Sequence, residues 1–485
     1  MSNKTSKFRN FLNKRNQPGQ ISNKEKFFLS LPYMPVSLSN SLIHMAYIKF
    51  YTDMVGLDVK YVGLLYLVFG IWNAINDPMM GVFIDRFKYT KKRGKFAYLM
   101  RVTTPVTVLS SFLMLFAQPA WQDWVIFAFM LVLLFVFDTT QTVYSISYAS
   151  YVYIAAPTKE ERVDVSVYST YIAHLGNLLG SIIPTFLLVG ESNRSLTIIL
   201  FCVVLVINSV LYYLALRPLK DKAEMYQNEF DSEEGTLARQ LRENAKDIIR
   251  SKAFVTYVLY QVVGRGSYAI NFTTFLYMAD YVLKLNGSQA TILDIVPGAL
   301  LFLVVPPLGK LTKRLGLKKT AIYASIPMAL SYLSLYFVQN IWQAFIIYTM
   351  INISATMGSL THRPMLGAII DEDEQKTGLR KAGVYTGLNA LLTIPVSGLH
   401  TMLFTTILGV YQFASGVETQ TELAQEGIRI GAGLVPFVVI LLGILPMLFS
   451  PITKAKEKEL SEFSEAQHRM GKTDEKDIPA EPVAA

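Results

Sequence analysis

Apolar residues arrive in long runs separated by shorter polar stretches. The runs lie near 27–52, 59–83, 96–118, 122–153, 165–189, 195–216, 253–283, 289–309, 319–338, 341–370, 382–411 and 428–450. A helix needs about 20 such residues to cross a bilayer core. The pattern therefore predicts an all-α membrane protein with twelve transmembrane helices. Several runs carry one or two polar residues, as helices that line a pathway do. Trp121, Trp124 and Trp342 stand at run ends, where an amphipathic ring suits the interface.

The longest polar interruption before the C-terminal tail is 217–252. It divides the chain into an N-terminal segment 1–26, a six-helix bundle 27–216, a central loop 217–252, a second six-helix bundle 253–450 and a tail 451–485. Within the loop, Leu237, Leu241, Ala245 and Ile248 keep helical spacing, which predicts an amphipathic helix acting as a tether or a regulatory element. The tail is charged and ends in Pro and Ala, so disorder is expected there. Six plus six helices around a central loop resembles the layout of the major facilitator fold, two bundles around a midplane cavity.

Charge sets the expected orientation. Basic residues crowd the first 26 positions, the loop after the second run (Arg86, Lys88, Lys91, Lys92, Arg93, Lys95) and the loop after the eighth (Lys310, Lys313, Arg314, Lys318, Lys319). Loops on the opposite side are poorer in base: Arg194 after the fifth run, none after the ninth and Arg429 after the eleventh. Both termini are therefore expected in the cytoplasm, with the chain in the cell membrane. No short apolar core with a cleavage site precedes the first run, so no cleaved signal peptide is expected.

Composition narrows the class. Apolar residues are 52% and charged residues 17%, against roughly 25% charged in a soluble domain. A water-soluble fold and overall disorder are both excluded. The net charge of +9 belongs to cytoplasmic loops, and no nucleic-acid partner is expected. The single cysteine, Cys202, excludes an internal disulfide framework and a cysteine zinc site. No phosphate loop, HExxH, GxSxG or CxxC motif is present, so neither an enzyme nor ATP-driven transport by this chain alone is expected. No cofactor is expected, no metal beyond a transported Na⁺, and the chain is expected to be a monomer.

Candidate chemistry lies inside the runs. Asn73, Asn76 and Asp77 fall at i, i+3 and i+4 on one helix face. A carboxylate with two amides offers hard oxygen ligands for Na⁺ or a carboxylate that takes up H⁺. A packing set of hydrogen bonds, with a carbonyl freed by Pro78, is the competing reading. Asp138, Gln141, Thr142 and Ser145 share a face of the fourth run, and Asp138 reads equally as a proton or solute group and as a structural one. His44 and Arg265 are further ionisable groups within runs. Tyr268 and Asn271 follow Arg265 at i+3 and i+6, so His44, Gln141, Ser145, Arg265, Tyr268, Asn271 and Asp138 make up the expected solute set. Arg265 reads equally as half of an internal ion pair. Lys49 and Asp53 sit near a helix end and are expected to snorkel, and His174 and His400 read as core imidazoles. Gly81, Asp85 and Arg86, before the basic loop, read as a conformational latch.

Together the motifs resemble one family. Phe50-Tyr51-Thr52-Asp53 with Gly56, then Asn73-Ala74-Ile75-Asn76-Asp77-Pro78 with Gly81, then Asp85-Arg86 and Gly94-Lys95-Phe96, are similar to the glycoside–pentoside–hexuronide:cation symporters. Pro364, Ile370-Asp371-Glu372-Asp373-Glu374, Thr377-Gly378, Arg380-Lys381 and Gly383 resemble that family's loop between spans ten and eleven. The resemblance implies an alternating-access carrier that moves a sugar with Na⁺, Li⁺ or H⁺, its cation site on spans two and four and Arg380 among the gating residues. Melibiose-type members begin the span-two motif with Asp where this chain has Asn73. Asn76 and Asp77 are retained, and Thr142 matches a threonine of span four. One carboxylate fewer makes H⁺ coupling, or none, the expectation over Na⁺. The sugar positions depart further. Ser37 and Ser145 stand where those members have Asp, Thr170 where they have Arg, and Ile394 where they have Lys. Galactoside specificity is not implied. With Arg265 and His44, an acidic glycoside such as a uronide is the expected solute. A lysolipid or other amphiphile carrier, compatible with Ile394, and a transporter-shaped sensor are the alternatives.

Overall fold

The computed structural model describes residues 21–156, 159–190, 193–221, 248–378 and 382–463. Among them twelve helical runs follow the apolar stretches of the sequence. The first, α1, is broken: Asn23–Ser30, Tyr33–Ser41, then π-helical turns Leu42–Ala46 and Phe50–Val55 around Tyr47–Lys49. Next come α2 (Val59–Arg86), α3 (Phe96–Leu113), α4 (Asp123–Ala155), α5 (Lys159–Leu187) and α6 (Arg194–Leu216). The second half holds α7 (Lys252–Tyr277), α8 (Gly287–Leu315), α9 (Leu317–Tyr336) and α10 (Ile341–Thr377). It continues with α11 (Ala382–Thr393, then Val396–Val410) and α12 (Glu422–Arg429, Ile430–Leu434 and Val435–Leu448).

Eight of the described helices are long and apolar enough to span a membrane on that criterion alone: α2, α3, α4, α6, α8, α10, α11 and α12. The others are interrupted or carry more polar side chains. Pro395 has no N–H to donate, and α11 breaks at Ile394–Pro395. Helix starts are capped from side chains. Ser22 and Glu25 form a reciprocal capping box at α1, and Asn286 with Gln289 does the same at α8.

Within the first half α1 packs on α5, and α3 and α2 flank α4. In the second half α10 lies against α8 and α9, and α12 against α7 and α9. The halves meet along three seams: α2 with α11, α5 with α8, and α1 with α7. Glycines permit the closest approach. A Cβ on Gly398 would lie 2.3 Å from the Tyr66 carbonyl, and one on Gly287 would lie 2.1 Å from that of Phe186.

The helices alternate in direction, so one face carries the described chain ends and the other, the far face, carries the α1–α2 and α7–α8 turns. Around the chain-end face, polar contacts run within each half. Asp221 accepts from the backbone of Lys95, and the Arg101 guanidinium donates to the carbonyls of Leu216 and Leu219. Lys318 donates to the carbonyls of Leu448 and Ser450. The Cβ directions of Gly81, Gly309 and Gly367 meet nothing within 4 Å. Among the described residues, these polar contacts at that face do not join the halves.

Two expectations need correction or restriction. The tail is not disordered from its start: residues 454–463 are helical, Leu460 is buried, and Glu457 Oε1 accepts from the Leu317 amide at 2.8 Å. Burial of Glu457 raises its carboxyl above the ordinary range, with backbone hydrogen bonds opposing. Residues 464–485 lie outside the described residues. So do Leu237, Leu241 and Ala245 of the expected loop helix, whereas Ile248 is buried.

Candidate functional site: a carboxylate–amide cluster on a cavity between the halves

The helical spacing of α2 presents Asn73, Asn76 and Asp77 to α4. Asn73 Nδ2 donates to Asp138 Oδ1 at 2.9 Å, and Asn76 Nδ2 donates to Asp138 Oδ2 at 3.0 Å. Thr139 Oγ1 donates to Asn76 Oδ1 at 3.2 Å. One turn along α4, Thr142 Oγ1 donates to Asp77 Oδ1 at 2.8 Å. All four members of the expected cation set therefore come together. Asp138, expected in the solute set, belongs to the same cluster. It is 6% exposed and held through both oxygens. Asp77 is only partly buried. The cluster thus contains two carboxylates on the same cavity: Asp138, buried and held by two amide donors, and Asp77, partly buried and held by Thr142.

The cavity has a volume of about 760 Å³ and lies between the halves. His44 and Asn40 line it from α1, Asp77 and Asn73 from α2, Gln141 and Ser145 from α4, and Ile394 and Ser397 from the break in α11. His44 sits in a π-helical turn of α1, a local widening that often marks a functional position. Gln141 Nε2 is buried and has no hydrogen-bond partner, while its Oε1 lies 3.4 Å from the Tyr212 hydroxyl. This donor is therefore unspent in the described contacts. Asn177 of α5 also borders a second lobe of about 410 Å³, reached by His174, Asp294, Asn352 and His362. Among the described lining residues of both lobes the charged groups are carboxylates, Asp77, Asp138 and Asp294.

The remaining expected residues are placed unevenly. Asn271 lies on a small side pocket with Asp294 and Tyr348, away from the main lobe. The side chains of Arg265, Tyr268 and Asp85, and residue Arg380, lie outside the described residues. Gly81 faces open space and Arg86 is exposed, so neither bridges the halves in this state. His400 Nδ1 donates to the Val396 carbonyl, 2.7 Å away within its own helix, and is buried. His174 instead borders the second lobe and packs on Phe302.

Lys49 does not snorkel. Its side chain is 1% exposed and ion-paired with Asp53 and, across the halves, with Asp280 of the π-helical turn after α7, at 2.6 Å. Tyr281 donates to Asp53 at 2.7 Å, and the hydroxyls of Thr52 and Tyr277 are 2.7 Å apart. The Gly190 amide donates to Asp280 at 2.8 Å. A buried cation is costly unless paired, and here the pairing partner comes from the other half. This clamp closes the far face. Sequence reasoning missed Asp280. A carboxylate near the end of the 253–283 run, matching Lys49 at the end of the 27–52 run, was the available signal.

Comparison with known proteins agrees with this architecture. The chain is 24% identical to the isoprimeverose transporter of Lactiplantibacillus pentosus over 474 residues, covering 93% of this chain and 94% of that one. It is 23% identical to the sodium-dependent lysophosphatidylcholine symporter 1 of Gallus gallus over 453 residues, covering 84% and 82%. Among solved structures, a D-xylose-proton symporter superposes with a TM-score of 0.65 at 10% identity, covering 89% of this chain and 98% of that one. The fold is that of the major facilitator transporters, and the relatives and neighbours are transporters, not enzymes. The profile of the MFS/sugar transport proteins matches residues 28–454, and the chain belongs to that family of membrane symporters.

Proposed function

We propose that this protein is a cation-coupled symporter of a sugar or glycoside, embedded in the cell membrane as a monomer with both termini in the cytoplasm. The carrying observation is the cluster of Asp77, Thr142, Asp138, Asn73 and Asn76 opening on a cavity between the halves that is clamped at the far face. Cavities of this kind, at the interface of two repeats, are where such carriers bind solute and coupling ion. The basic loops after α2 and α8 support the orientation.

H⁺ is the coupling ion this reading assigns to Asp77. Asp138 is held by amide donors on both oxygens, whereas Asp77 is partly buried at the cavity, and this reading takes Asp77 as the carboxylate that changes charge. One available carboxylate takes a proton at less cost than it offsets the dehydration of Na⁺. Gln141, Ser145, His44 and Ser397 supply hydrogen-bonding groups for solute hydroxyls. The acidic-glycoside reading rests on Arg265, and the family resemblance to an isoprimeverose transporter supports a glycoside of either charge.

A second reading, an amphiphile carrier, is favoured by Phe69, Phe137, Ile146 and Ile394 on the cavity wall and by the likeness to a lysophosphatidylcholine symporter. Uptake into proteoliposomes decides between them. Labelled neutral glycosides, uronides and lysolipids are offered under an imposed H⁺ or Na⁺ gradient. Accumulation of a glycoside driven by H⁺ is expected. Lysolipid uptake alone selects the second reading, and no gradient-driven uptake of any of them removes the first.

A further inference from the structure

A second carboxylate lies deep in the second half, and the mechanism above does not use it. Asp294 sits two turns into α8, at the junction of the 410 Å³ lobe and a side pocket of about 60 Å³. Its Oδ2 is buried without a hydrogen-bond partner among the described residues. The same side pocket is lined by Asn271 of α7, whose Oδ1 is likewise buried and unpartnered, and by Tyr348 of α10, which is 2% exposed with an unpartnered hydroxyl. Asn352 completes the polar wall, and Met45, Phe275 and Leu293 close the rest.

The chemistry of these atoms selects the ligand. A carboxylate oxygen and an amide oxygen are both acceptors, and a phenol offers a third oxygen. Three unsatisfied oxygens in an apolar setting are costly together unless something positive sits among them. Such a set is hard and oxygen-only, suited to an alkali cation or a proton. The pocket is too small for a sugar ring, whose atoms need well over 100 Å³ by the scale of ligand cavities. Titratable groups on the packed elements are His174 on α5, Tyr348 and His362 on α10 and Tyr260 on α7; Arg265 on α7 lies outside the described side chains.

We propose that Asp294, Asn271 and Tyr348 form a second monovalent-cation site, separate from the Asp77 cluster and taking Na⁺ or H⁺. Its place gives it a mechanical consequence. Ser181 of α5 and Asp294 of α8 line the same lobe from opposite halves, and one turn nearer the far face the Thr185 and Thr291 hydroxyls are 3.1 Å apart. Charging or neutralising Asp294 therefore acts directly on the α5–α8 seam. The proposal extends the coupling reading, but binding is measured without any solute, so the two can fail separately.

The test uses the full chain in detergent with Na⁺ and H⁺ as the only probes. Infrared difference spectra report the carbonyl stretch of a protonated carboxylic acid, and equilibrium binding of radioactive Na⁺ counts the metal ion. The expected result is that Asp294→Asn loses one cation equivalent per chain, seen as a missing acid band or a missing bound Na⁺, while Asp77→Asn keeps it. An acid band that Na⁺ removes identifies Na⁺ as an occupant. A band that answers to pH alone identifies H⁺. Asp294→Glu, which keeps a carboxyl, should retain the equivalent with a shifted band and shows that the loss is not misfolding. Identical spectra and Na⁺ binding in Asp294→Asn and the unmodified chain overturn the proposal. Finding Asp294 in an ion pair with Arg265 overturns it too. Gradient-driven uptake that survives Asp77→Asn sinks the coupling reading and leaves this site standing.

Discussion

Lys49 Nζ on α1 lies 2.6 Å from Asp280 Oδ2 after α7, and through that pair one buried ammonium ties the two halves of the molecule. Asp53 shares the same ammonium from the first half, and the Tyr281 ring lies 4.2 Å from it. The clamp has a strong all-or-none character because neither carboxylate has another basic partner in the described contacts. Opening the far face must expose the ammonium to water or keep it with Asp53 alone.

Lys49→Met should therefore favour the state open at the far face. Removing one partner of a buried pair costs about 3–5 kcal/mol, and here the loss falls on the closed state, where Asp53 and Asp280 are left facing each other. Spin labels at Trp121 and Trp342, both exposed on the far face, should show a longer mean distance. Adding Asp280→Asn should recover part of the closed population. An unchanged distance distribution in Lys49→Met would show that the clamp does not hold the gate.

Asn73 and Asp138 form a pair that can be reversed. Asp138→Asn places an amide between two amides and removes two charge-assisted hydrogen bonds, each worth about 1.5–3 kcal/mol. H⁺-driven accumulation and thermal stability should both fall. Exchanging the side chains, Asn73→Asp with Asp138→Asn, keeps an amide–carboxylate contact across the same 2.9 Å gap. The double variant should be more stable than the sum of the single losses, by about 0.5–3 kcal/mol of coupling. Strict additivity in the cycle would deny that the two residues act as one unit.

How much of this was legible in the sequence depends on the range of the interaction. The spans follow from apolar run length, a local property. The α2 cluster follows from i, i+3 and i+4 spacing on one helix, so Asn73, Asn76 and Asp77 could be read directly. Asp138 was legible as a polar residue on the correct face of α4, but its partner lies 62 to 65 positions away, and spacing within one helix cannot choose between solute and neighbour. Lys49 and Asp280 are 231 positions apart. A lysine at a helix end looks the same whether it snorkels or is paired, and only the packing of α1 on α7 separates the cases. The tail misled for a related reason. Its charge argued for disorder, while Ile452 and Leu460 find a buried surface that composition does not reveal.

The α2–α11 seam should be intolerant of added volume. A Cβ on Gly398 would stand 2.3 Å from the Tyr66 carbonyl, a backbone atom that cannot rotate away, and one on Gly70 would stand 3.2 Å from the Pro395 carbonyl. Small residues at crossings let membrane helices approach. Gly398→Ala should lower stability by about 1–3 kcal/mol, the usual cost of overpacking, read as a lower thermal midpoint in detergent. Gly309→Ala is the control, since its Cβ would meet nothing within 4 Å and replacing helical Gly by Ala is favourable by up to about 1 kcal/mol. Equal midpoints for the two variants would mean that the seam can spread without penalty.

Gly81 separates the two ends of the transport cycle. In the described state its Cβ direction is empty to 4 Å, so Gly81→Leu should not lower the stability of this state and should gain up to about 1 kcal/mol of helix propensity. Alternating access requires the chain-end face to close when the far face opens, and α2 then brings Gly81 toward the second half. A leucine placed in that closing interface overpacks only the closed form, by about 1–3 kcal/mol. A penalty of that size on one state shifts the equilibrium by about 5- to 150-fold. Net uptake in proteoliposomes should fall by a comparable factor, while the thermal midpoint of the purified protein does not fall. Gly81→Ala should fall between the two in uptake. Normal uptake by Gly81→Leu would mean that the near end of α2 never meets the opposite half, and the latch would have to be sought among the other residues of the basic loop.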